Sequence, residues 1–291
     1  MKQHLVFIVN PRAGVDREKA IEKALKTYLN QSKYSYEIQH TQHAKHGTEL
    51  ARIAAAKGTT TVVAVGGDGS VNDVAKGLIN TDTSLGILPM GSGNGLARSL
   101  SIPTQLKGAI EVLNKGRTTQ IDVGMANEHL FLSNAGVGFD ALICQAFTQS
   151  KKRGFFSYCR IILNEVFRYK LHEWSLVADG KTFSKIAFMI TVANGNQLGY
   201  NFKIAPNASW TDGLLDVVLI KKFPILLTAD IAIRAVTGKI LSSRYVEHLR
   251  VKSIQVSHPE LTLMQTDGDA YSCRGRVTFS IINSSLSVLT P

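Results

Sequence analysis

Along the first 125 residues, short strand-like runs alternate with longer segments of helical periodicity. The strand-like runs cover 5–9, 34–38, 59–65 and 85–89, and the helical segments cover 16–29, 48–56 and 71–79. Runs of about five largely apolar residues favour strands, whereas apolar side chains three or four positions apart favour helices. Strands that alternate with helices form parallel sheets, because each helix carries the chain back to the starting edge. The pattern therefore predicts an α/β domain with a parallel sheet over 1–125.

The pattern changes near residues 124–128 and becomes rich in strands. Strand-like runs cover 130–133, 174–178, 186–192, 214–220, 254–256, 261–265 and 277–282, and helical patterns cover 139–148, 155–169 and 225–240. Asp179-Gly180 separates two strand-like segments and is a strong signal for a hairpin turn. Many strands at short spacing are typical of an antiparallel sandwich. We therefore expect a second domain, an antiparallel β-sandwich, over 126–291.

The composition is that of a folded protein with a strong positive charge. Apolar residues make up 44% of the chain and charged residues 19%, which excludes a disordered chain. No run of about 18 apolar residues occurs, so we expect no transmembrane helix. The net charge of +11 favours an anionic partner and leaves a nucleotide, a nucleic acid and an anionic membrane open. Three scattered cysteines, Cys144, Cys159 and Cys273, favour free thiols in a reducing cytoplasm over a disulfide framework or a zinc site.

Three of the predicted strands end in a loop that suits phosphate. The loops are Asn10-Pro11-Arg12-Ala13-Gly14, Gly66-Gly67-Asp68-Gly69-Ser70 and Gly91-Ser92-Gly93-Asn94-Gly95. Glycines let the backbone approach a ligand closely, and the N–H groups at the start of a following helix attract phosphate. The carboxyl ends of parallel strands meet at one edge of the sheet, where ligands bind in such folds. Ordinary turns are the alternative, but three such loops in series favour a phosphate site, and Asp68 beside phosphate favours Mg²⁺ or acid–base chemistry.

Five motifs in a fixed order resemble those of one known family. They are Asn10-Pro11 with Ala13-Gly14, the segment 66–74, the loop 89–98, the segment 211–216 and Thr266-Asp267-Gly268-Asp269. Over essentially the whole chain they resemble the diacylglycerol kinase-like lipid kinases, which include bacterial diacylglycerol kinases, YegS-type lipid kinases and sphingosine kinases. NAD kinases and phosphofructokinases share a Gly-Gly-Asp-Gly loop, but other stretches characteristic of those families are absent here. The resemblance implies transfer of the γ-phosphate of ATP, with Mg²⁺, to a lipid hydroxyl, and strands from about Val277 that return to the first domain.

The resemblance assigns nucleotide binding to residues of the first domain. They are Asn10, Pro11, Arg12, Ala13, Gly14, Thr41, Gly66, Gly67, Asp68, Gly69, Ser70, Ser92 and Asn94. For Thr41, a hydroxyl that caps the following helix is an equally good interpretation. The third loop has Gly95 where bacterial diacylglycerol kinases have an aspartate, so one carboxylate of their Mg²⁺ network is missing. This loop is closer to that of sphingosine kinases and tilts the expected acceptor toward a sphingoid base.

In the second domain, the resemblance implies a structural Mg²⁺ site. Asp212 and the backbone carbonyls of Ser209 and Leu214 would hold the ion, because carboxylate and carbonyl oxygens suit a hard cation. Asp216 would instead help to orient the catalytic network. The alternative for this segment is a plain turn, since Asp-Gly is among the commonest turn pairs.

The resemblance also implies a catalytic turn at Asp267-Gly268-Asp269. Asp269 stands where the family has a glutamate base, and it would accept the proton of the substrate hydroxyl. The aspartate side chain is one methylene shorter, a difference in reach of about 1.5 Å. Asp267 is the second choice for the base, and Asp68 and Asp216 complete the catalytic set. A solvated turn without function is the alternative.

Two further segments have open interpretations. The basic and aromatic segment 151–156 begins a pattern that suits a lid over a lipid tail, a membrane-facing patch or a helix facing the core. His40, His43 and His46 cluster near Thr41, and we expect them to be solvated or close to the nucleotide rather than metal ligands.

The sequence as a whole predicts a cytoplasmic enzyme that binds ATP and a lipid and docks peripherally on an anionic membrane. We expect no nucleic acid as a partner, because the basic residues are dispersed and no known nucleic-acid-binding motif occurs. The alternatives are an NAD kinase-like enzyme with a soluble acceptor and a nucleotide-binding protein that has lost catalysis. The departures at Gly95 and Asp269 keep the second alternative open, and a homodimer also stays open.

Overall fold

The computed structural model describes residues 2–11, 15–91, 93–150, 155–166, 169–197 and 202–291, without the side chains of 15–18, 155–159, 163 and 225. Four residues with a predicted role in nucleotide binding lie outside the described residues, namely Arg12, Ala13, Gly14 and Ser92. So does the basic part of the 151–156 segment. The chain divides into two compact units, Met1–Asp122 with Asn283–Pro291, and Val123–Ile282.

The two units are built from the following elements. The helices are α1 (Val15–Tyr28), α2 (His46–Ala56), α3 (Asp68–Leu78), α4 (Gly95–Ser99), α5 (Leu106–Lys115), α6 (Phe139–Gln149), α7 (Phe155–Val166) and α8 (Thr228–Thr237). The strands are β1 (Gln3–Val9), β2 (Tyr34–His40), β3 (Thr61–Gly66), β4 (Ser84–Pro89), β5 (Thr118–Ala126), β6 (His129–Phe131), β7 (Asn134–Gly138), β8 (His172–Ala178), β9 (Lys181–Ala187), β10 (Met189–Ala193), β11 (Leu215–Ile220), β12 (Val246–Val251), β13 (Ser253–Ser257), β14 (Leu263–Thr266), β15 (Asp269–Ser272) and β16 (Arg276–Leu289). Strands β5 and β16 contribute residues to both units. In the described part of the chain, no helix has the length and hydrophobicity that crossing a bilayer requires.

The first unit is built on a parallel sheet, as the sequence predicts. Strands β2, β1, β3 and β4 lie side by side in this order, and each neighbouring pair is parallel. The end of β16 continues this sheet beside β4, where Val288 pairs with Leu85. Helices α3 and α5 pack against the strands, α2 packs against α3, and α1 packs against α5. The covered strands are therefore apolar and buried, including Phe7 and Val63, which have no exposed surface.

The second unit contains two antiparallel layers, which confirms the predicted sandwich. One layer has the order β16, β13, β8, β9, and the other has the order β12, β11, β10, β7, β14, β15. A single hydrophobic cluster takes side chains from both layers, among them Trp174 and Phe279 from the first and Ile190 and Val217 from the second. Alternate residues of each strand thus face a shared core.

The strand predicted over 186–192 is in fact two strands in different layers. Strand β9 pairs with β8, whereas β10 pairs with β7 and β11, and Phe188 separates them. The continuous apolar pattern carries no signal for a change of layer, so the sequence could not reveal it. The predicted hairpin at Asp179-Gly180 is confirmed, because both residues have a positive φ, 45° and 82°, as a type I′ turn requires.

The helix predicted over 225–240 is shorter than expected. It starts with a 3-10 turn at Ile225–Leu227, continues as α8 and stops at Gly238, whose φ is 73°. A glycine in the left-handed region is a common helix stop, because other residues pay a steric penalty there. Helix α5, which the sequence analysis did not identify, has its apolar face against β4.

Helices α2 and α3 approach each other closely at Gly77. A Cβ built on Gly77 would lie 2.5 Å from the carbonyl oxygen of Thr48 and 2.8 Å from the Cβ of Ala51. Gly77→Ala must therefore push the helices apart, and we expect it to lower the free energy of unfolding by about 1–3 kcal/mol. Urea unfolding measures this loss: the midpoint concentration should fall, while the dependence of the free energy of unfolding on urea concentration stays unchanged.

Gly69 provides the matched control in the same helix. A Cβ built on Gly69 has no atom within 4 Å. Gly69→Ala should keep the wild-type midpoint or raise it, since alanine favours helix over glycine. Equal midpoints for the two alanine variants would contradict the close packing at Gly77.

Candidate functional site

The loops after β1, β3 and β4 lie at one edge of the parallel sheet in the first unit. Backbone hydrogen bonds join their beginnings, because the N–H of Asn10 donates to the carbonyl of Val65 at 3.4 Å. The N–H of Met90 donates to the carbonyl of Gly66 at 2.8 Å. The described parts of the three predicted loops are therefore neighbours, at the sheet edge where ligands bind in such folds.

Two of these loops touch each other through glycines. A Cβ built on Gly91 would lie 2.6 Å from the Cα of Gly67, so a larger residue at Gly91 requires a backbone shift. A Cβ built on Gly67 would lie 3.2 Å from the Cα of Gly91, which leaves little room there as well. A Cβ on Gly66 would lie 2.5 Å from Oγ of Ser70. The glycines that the sequence assigns to phosphate binding thus also permit close packing of the loops.

Asn94 closes the third loop with its side chain. Its Oδ1 accepts the N–H of Gly91 at 2.9 Å, and its Nδ2 donates to the carbonyl of Gly91 at 2.8 Å. Asn94 is buried and has a φ of 52°, which asparagine tolerates better than most residues. Its polar atoms are therefore engaged within the loop, and its contribution in this structure is to the shape of the loop.

Asp68 links the start of α3 to the start of α4. Its Oδ1 accepts the N–H of Gly95 at 2.5 Å, and a Cβ on Gly93 would lie 2.7 Å from its Oδ2. A carboxylate is favourable here because the N–H groups at helix starts carry partial positive charge. Asp68 is nevertheless exposed, so its carboxylate is open to a ligand from solvent.

A cavity of about 160 Å³ lies beside the first and second loops. Four residues with a predicted role in nucleotide binding line it, namely Asn10, Pro11, Thr41 and Ser70. Nδ2 of Asn10 donates to Oγ of Ser70 at 3.4 Å and so connects the two loops. Helix α2 has no side-chain cap, so the alternative role of Thr41 as a helix cap is not seen. The cavity is also lined by polar residues that the sequence did not assign to the nucleotide, Gln42 and Asp73.

In the second unit, Asp267-Gly268 forms the tight turn between β14 and β15. Thr266 pairs with Asp269 across it, and the two turn residues have φ values of 51° and 91°. Positive φ at both positions is the pattern of a two-residue type I′ hairpin. This geometry leaves Asp269 as the first residue of β15, exposed to solvent.

The carboxylate of Asp267 anchors this turn to the start of β7. It accepts three successive backbone N–H groups, from Leu132 at 2.7 Å, Ser133 at 2.7 Å and Asn134 at 3.2 Å. The N–H of Asp267 in turn donates to the carbonyl of Asn134 at 2.7 Å. Since both carboxylate oxygens hold N–H groups, Asp267 is a poorer candidate for a base than Asp269.

A buried polar cluster supports the turn from the protein interior. Nε2 of Gln265 donates to Oδ1 of Asn134 and to Oδ2 of Asp140, both at 2.9 Å. Oε1 of Gln265 accepts the N–H of Gly268 at 3.0 Å, and Thr191 donates its hydroxyl to Asp140 at 3.3 Å. The sequence analysis missed this cluster, although polar residues within otherwise apolar strands are a signal for one.

Burial near the turn changes the pKa values of two side chains on α6. Desolvation raises the pKa of Asp140, while the hydrogen bonds from Gln265 and Thr191 work in the opposite direction. Burial also raises the pKa of the Cys144 thiol, with smaller contributions from the carboxylates of Asp140 and Asp269. The exposed Asp269 is thus carried by a turn whose supporting groups are withdrawn from water.

Asp216 lies in a cluster of charges on β11 and β12. It pairs with Arg250 across the two strands, and its Oδ1 lies 2.5 Å from Nε2 of His248. It is only 1% exposed, and among the described residues its Oδ2 has no hydrogen-bond partner. Burial raises the pKa of Asp216, and the neighbouring His248 and Arg250 oppose this rise. His248 and Arg250 were missed, because the sequence does not reveal the pairing of these strands.

Both side-chain oxygens of Asp212, which the resemblance assigns to a structural Mg²⁺ site, have partners within the chain. Its Oδ1 accepts the N–H of Leu214 at 3.1 Å, and its Oδ2 binds the guanidinium of Arg250. The other two predicted ligands are the backbone carbonyls of Ser209 and Leu214. The Mg²⁺ site therefore stays a prediction, in which the ion would compete with Arg250 for the carboxylate of Asp212.

Both units of the chain match family models of known proteins. A family model described as "Diacylglycerol kinase catalytic domain" matches residues 4–126, and one described as "YegS C-terminal NAD kinase beta sandwich-like domain" matches residues 133–290. This chain belongs to the diacylglycerol kinase family. A diacylglycerol kinase of Mycobacterium tuberculosis is 31% identical over 85% of this chain and 82% of its own length. One of Bacillus subtilis is 28% identical over 90% of this chain and 88% of its own. The resemblance seen in the five motifs is confirmed, and the chain is a member of a kinase family.

Solved structures show the same fold. A diacylglycerol kinase from Bacillus anthracis has a TM-score of 0.75 at 22% identity, covering 100% of this chain and 97% of that one. An NAD kinase from Archaeoglobus fulgidus, solved in complex with ATP, has a TM-score of 0.56 at 15% identity, covering 99% and 94%. The diacylglycerol kinase family thus shares its fold with an NAD kinase, as the predicted fold class requires.

The buried Asp140 should make stability depend on pH. The pKa of Asp140 is raised in the folded state above its unfolded value of about 3.9. At a pH between these two values, the folded chain therefore binds more protons than the unfolded chain. Asp140 therefore costs stability as the pH rises through this window. Asp140→Asn should remove that loss, so the free energy of unfolding of the variant should gain on wild type from pH 4 upward, by at most about 1.4 kcal/mol per pH unit.

Urea unfolding of both proteins over a pH series measures this difference. Above the pKa that Asp140 has in the folded state, the difference in the free energy of unfolding between wild type and Asp140→Asn should stay constant. Curves that stay parallel through the whole series would contradict the assignment of a raised pKa to Asp140.

Proposed function

We propose that this chain transfers the γ-phosphate of ATP to the hydroxyl group of a lipid. The observation that carries the proposal is that two family models, one of them for the diacylglycerol kinase catalytic domain, together cover both units. The first unit is the proposed nucleotide-binding domain, and the second is the proposed lipid-substrate domain. The acceptor is a diacylglycerol or a sphingoid base, and Gly95 in the third loop favours the sphingoid base.

The phosphates of ATP bind at the loops after β3 and β4. Backbone N–H groups at the start of α3, where Asp68 and Gly69 are exposed, provide donors for phosphate oxygens. Asn10, Thr41 and Ser70, which line the neighbouring cavity, provide further hydrogen-bonding groups. The exposed carboxylate of Asp68 would hold Mg²⁺ through water, and the ion would supply positive charge that neutralises the phosphates of ATP.

Asp269 accepts the proton of the acceptor hydroxyl. Its carboxylate is exposed at a turn that Asp267 and Gln265 fix through backbone N–H groups. A base held on a fixed turn keeps its distance to the hydroxyl constant, and an error of about 1 Å can cost a factor of about 100 in rate. The position of the turn, which Asp267 determines, can then compensate for the shorter reach of the aspartate side chain.

The role of Asp68 can be tested by removing its charge alone. In Asp68→Asn the amide oxygen can still accept the N–H of Gly95, so the contact between α3 and α4 is kept. We expect turnover to fall by about 100-fold or more, the scale of losing one charged group in a preorganised site, with an unchanged melting temperature. Full turnover of Asp68→Asn with Mg-ATP would contradict the proposed nucleotide site.

The role of Asp269 can be separated from that of Asp267 by stability. Asp269→Ala should lower turnover by about 100-fold to 10,000-fold, the usual contribution of a general base, and leave ATP binding and the melting temperature unchanged. Asp269→Glu should keep at least as much turnover as Asp269→Ala. Asp267→Ala leaves three N–H groups without their acceptor, so it should lower both turnover and the melting temperature.

Transfer of labelled phosphate to lipid, together with calorimetric titration of ATP and thermal unfolding, measures all three quantities. Full lipid phosphorylation by Asp269→Ala would exclude Asp269 as the base. If Asp267→Ala lost turnover at an unchanged melting temperature, the base would move to Asp267.

A further inference from the structure

Helix α8 carries a stripe of apolar side chains that face solvent. Leu226, in the 3-10 turn that leads into the helix, is 90% exposed, Ile233 is 63% exposed and Val236 is 42% exposed. Together with the exposed Ala229 they are spaced three or four positions apart, which puts them on one side of a helix. With a rise of about 1.5 Å per residue, the stripe is about 15 Å long.

The opposite side of the helix is the one that packs against the fold. Ile231 and Ala235 are buried in a hydrophobic cluster with Val218 and Ile220 of β11. The exposed stripe is therefore additional to the face that folding requires. Exposed large apolar side chains that are grouped, unlike single ones, mark an interaction surface.

The chain around this stripe is basic. Residues 221–244 contain five lysines and arginines and one acidic residue, Asp230, which pairs with Arg234 at 2.7 Å. Lys222, Lys239 and Arg244 are exposed, and no ion pair involves them in the described part of the chain. Apolar side chains flanked by unpaired basic residues fit the boundary between the headgroups and acyl chains of an anionic membrane.

We infer that the 3-10 turn and α8 form a membrane-docking surface in which Leu226 and Ile233 enter the lipid and the flanking basic residues contact anionic headgroups. The inference rests on the proposed function, because an enzyme that acts on a lipid must reach a lipid surface. It adds to that function a specific contact face in the second unit. An acidic protein partner or a second copy of this chain would be the competing occupants, and the basic flanks disfavour self-association through like charge.

Flotation with lipid vesicles tests the surface without requiring turnover. Wild type should float with vesicles of phosphatidylcholine and phosphatidylglycerol, more weakly with phosphatidylcholine alone, and less at high salt. Leu226→Gln and Ile233→Gln remove apolar area without adding charge, and each should weaken the partition by about tenfold. Lys222→Gln with Lys239→Gln should weaken binding to the anionic vesicles only.

Ile186→Gln is the matched control, since Ile186 is 60% exposed in the same unit but lies on β9. It should float like wild type. Equal losses of vesicle binding in the control and in the α8 variants would overturn the assignment of the surface. So would a double variant, Leu226→Gln with Ile233→Gln, that floats like wild type. Loss of a concentration-dependent dimer in the double variant, with vesicle binding intact, would assign the stripe to self-association instead.

Turnover with a dispersed short-chain acceptor separates this inference from the proposed function. The double variant Leu226→Gln with Ile233→Gln should phosphorylate a short-chain diacylglycerol or sphingoid base in solution at the wild-type rate, and it should lose rate only with vesicles. If wild type docks through α8 but labels no lipid, the surface stands and the proposed acceptor fails. If lipid is labelled and the double variant is unimpaired on vesicles, the function stands and the surface fails.

Discussion

Aspartate carboxylates that accept backbone N–H groups hold both parts of the candidate site in shape. Asp267 accepts three successive N–H groups at the start of β7, and Asp68 accepts the N–H of Gly95 at the start of α4. Loops have no ladder of hydrogen bonds of their own, and a backbone donor left without a partner costs about 1–3 kcal/mol when buried. The glycine loops in the first unit and the Asp-Gly turn in the second therefore each depend on such a carboxylate for their shape.

The acidic residues of the candidate site differ in how much of each carboxylate is left open to a ligand or a proton. Asp267, Asp212 and Asp140 have their oxygens in hydrogen bonds or an ion pair, and Asp216 is buried beside His248 and Arg250. Asp68 and Asp269 are exposed, and the exposed Asp212 differs from them in its ion pair with Arg250. Loops that carry reactive groups are effective when rigid elements and supporting hydrogen bonds hold them, and the Gln265 cluster provides this support in the second unit. The carboxylate of Asp212 forms an ion pair with Arg250, with which a cation at the predicted Mg²⁺ site would compete.

The periodicity of the chain was sufficient to predict the parallel sheet and the sandwich, because buried strands and covered helices leave clear apolar patterns. The glycine loops were visible for the same reason, as each follows such a strand. The change of layer at Phe188 was not visible, because the apolar pattern continues through it. Neither were Gln265, Asp140, His248 and Arg250, whose partners lie far away along the chain and meet only through strand pairing. The anchoring contacts of Asp267 could not be predicted, because an aspartate that binds N–H groups and one that accepts a proton look alike in a sequence.

Lipid kinase activity is tested most directly by offering several acceptors in parallel to the wild-type protein, with Mg-ATP labelled in the γ-phosphate. Diacylglycerol, monoacylglycerol, a sphingoid base and ceramide in mixed micelles, and NAD in solution, cover the lipid classes and the soluble alternative that shares the fold. A lipid kinase should put the label into a lipid, and label in the sphingoid base would agree with Gly95 in the third loop. Label in NAD alone, or no label while ATP still binds, would contradict a lipid kinase.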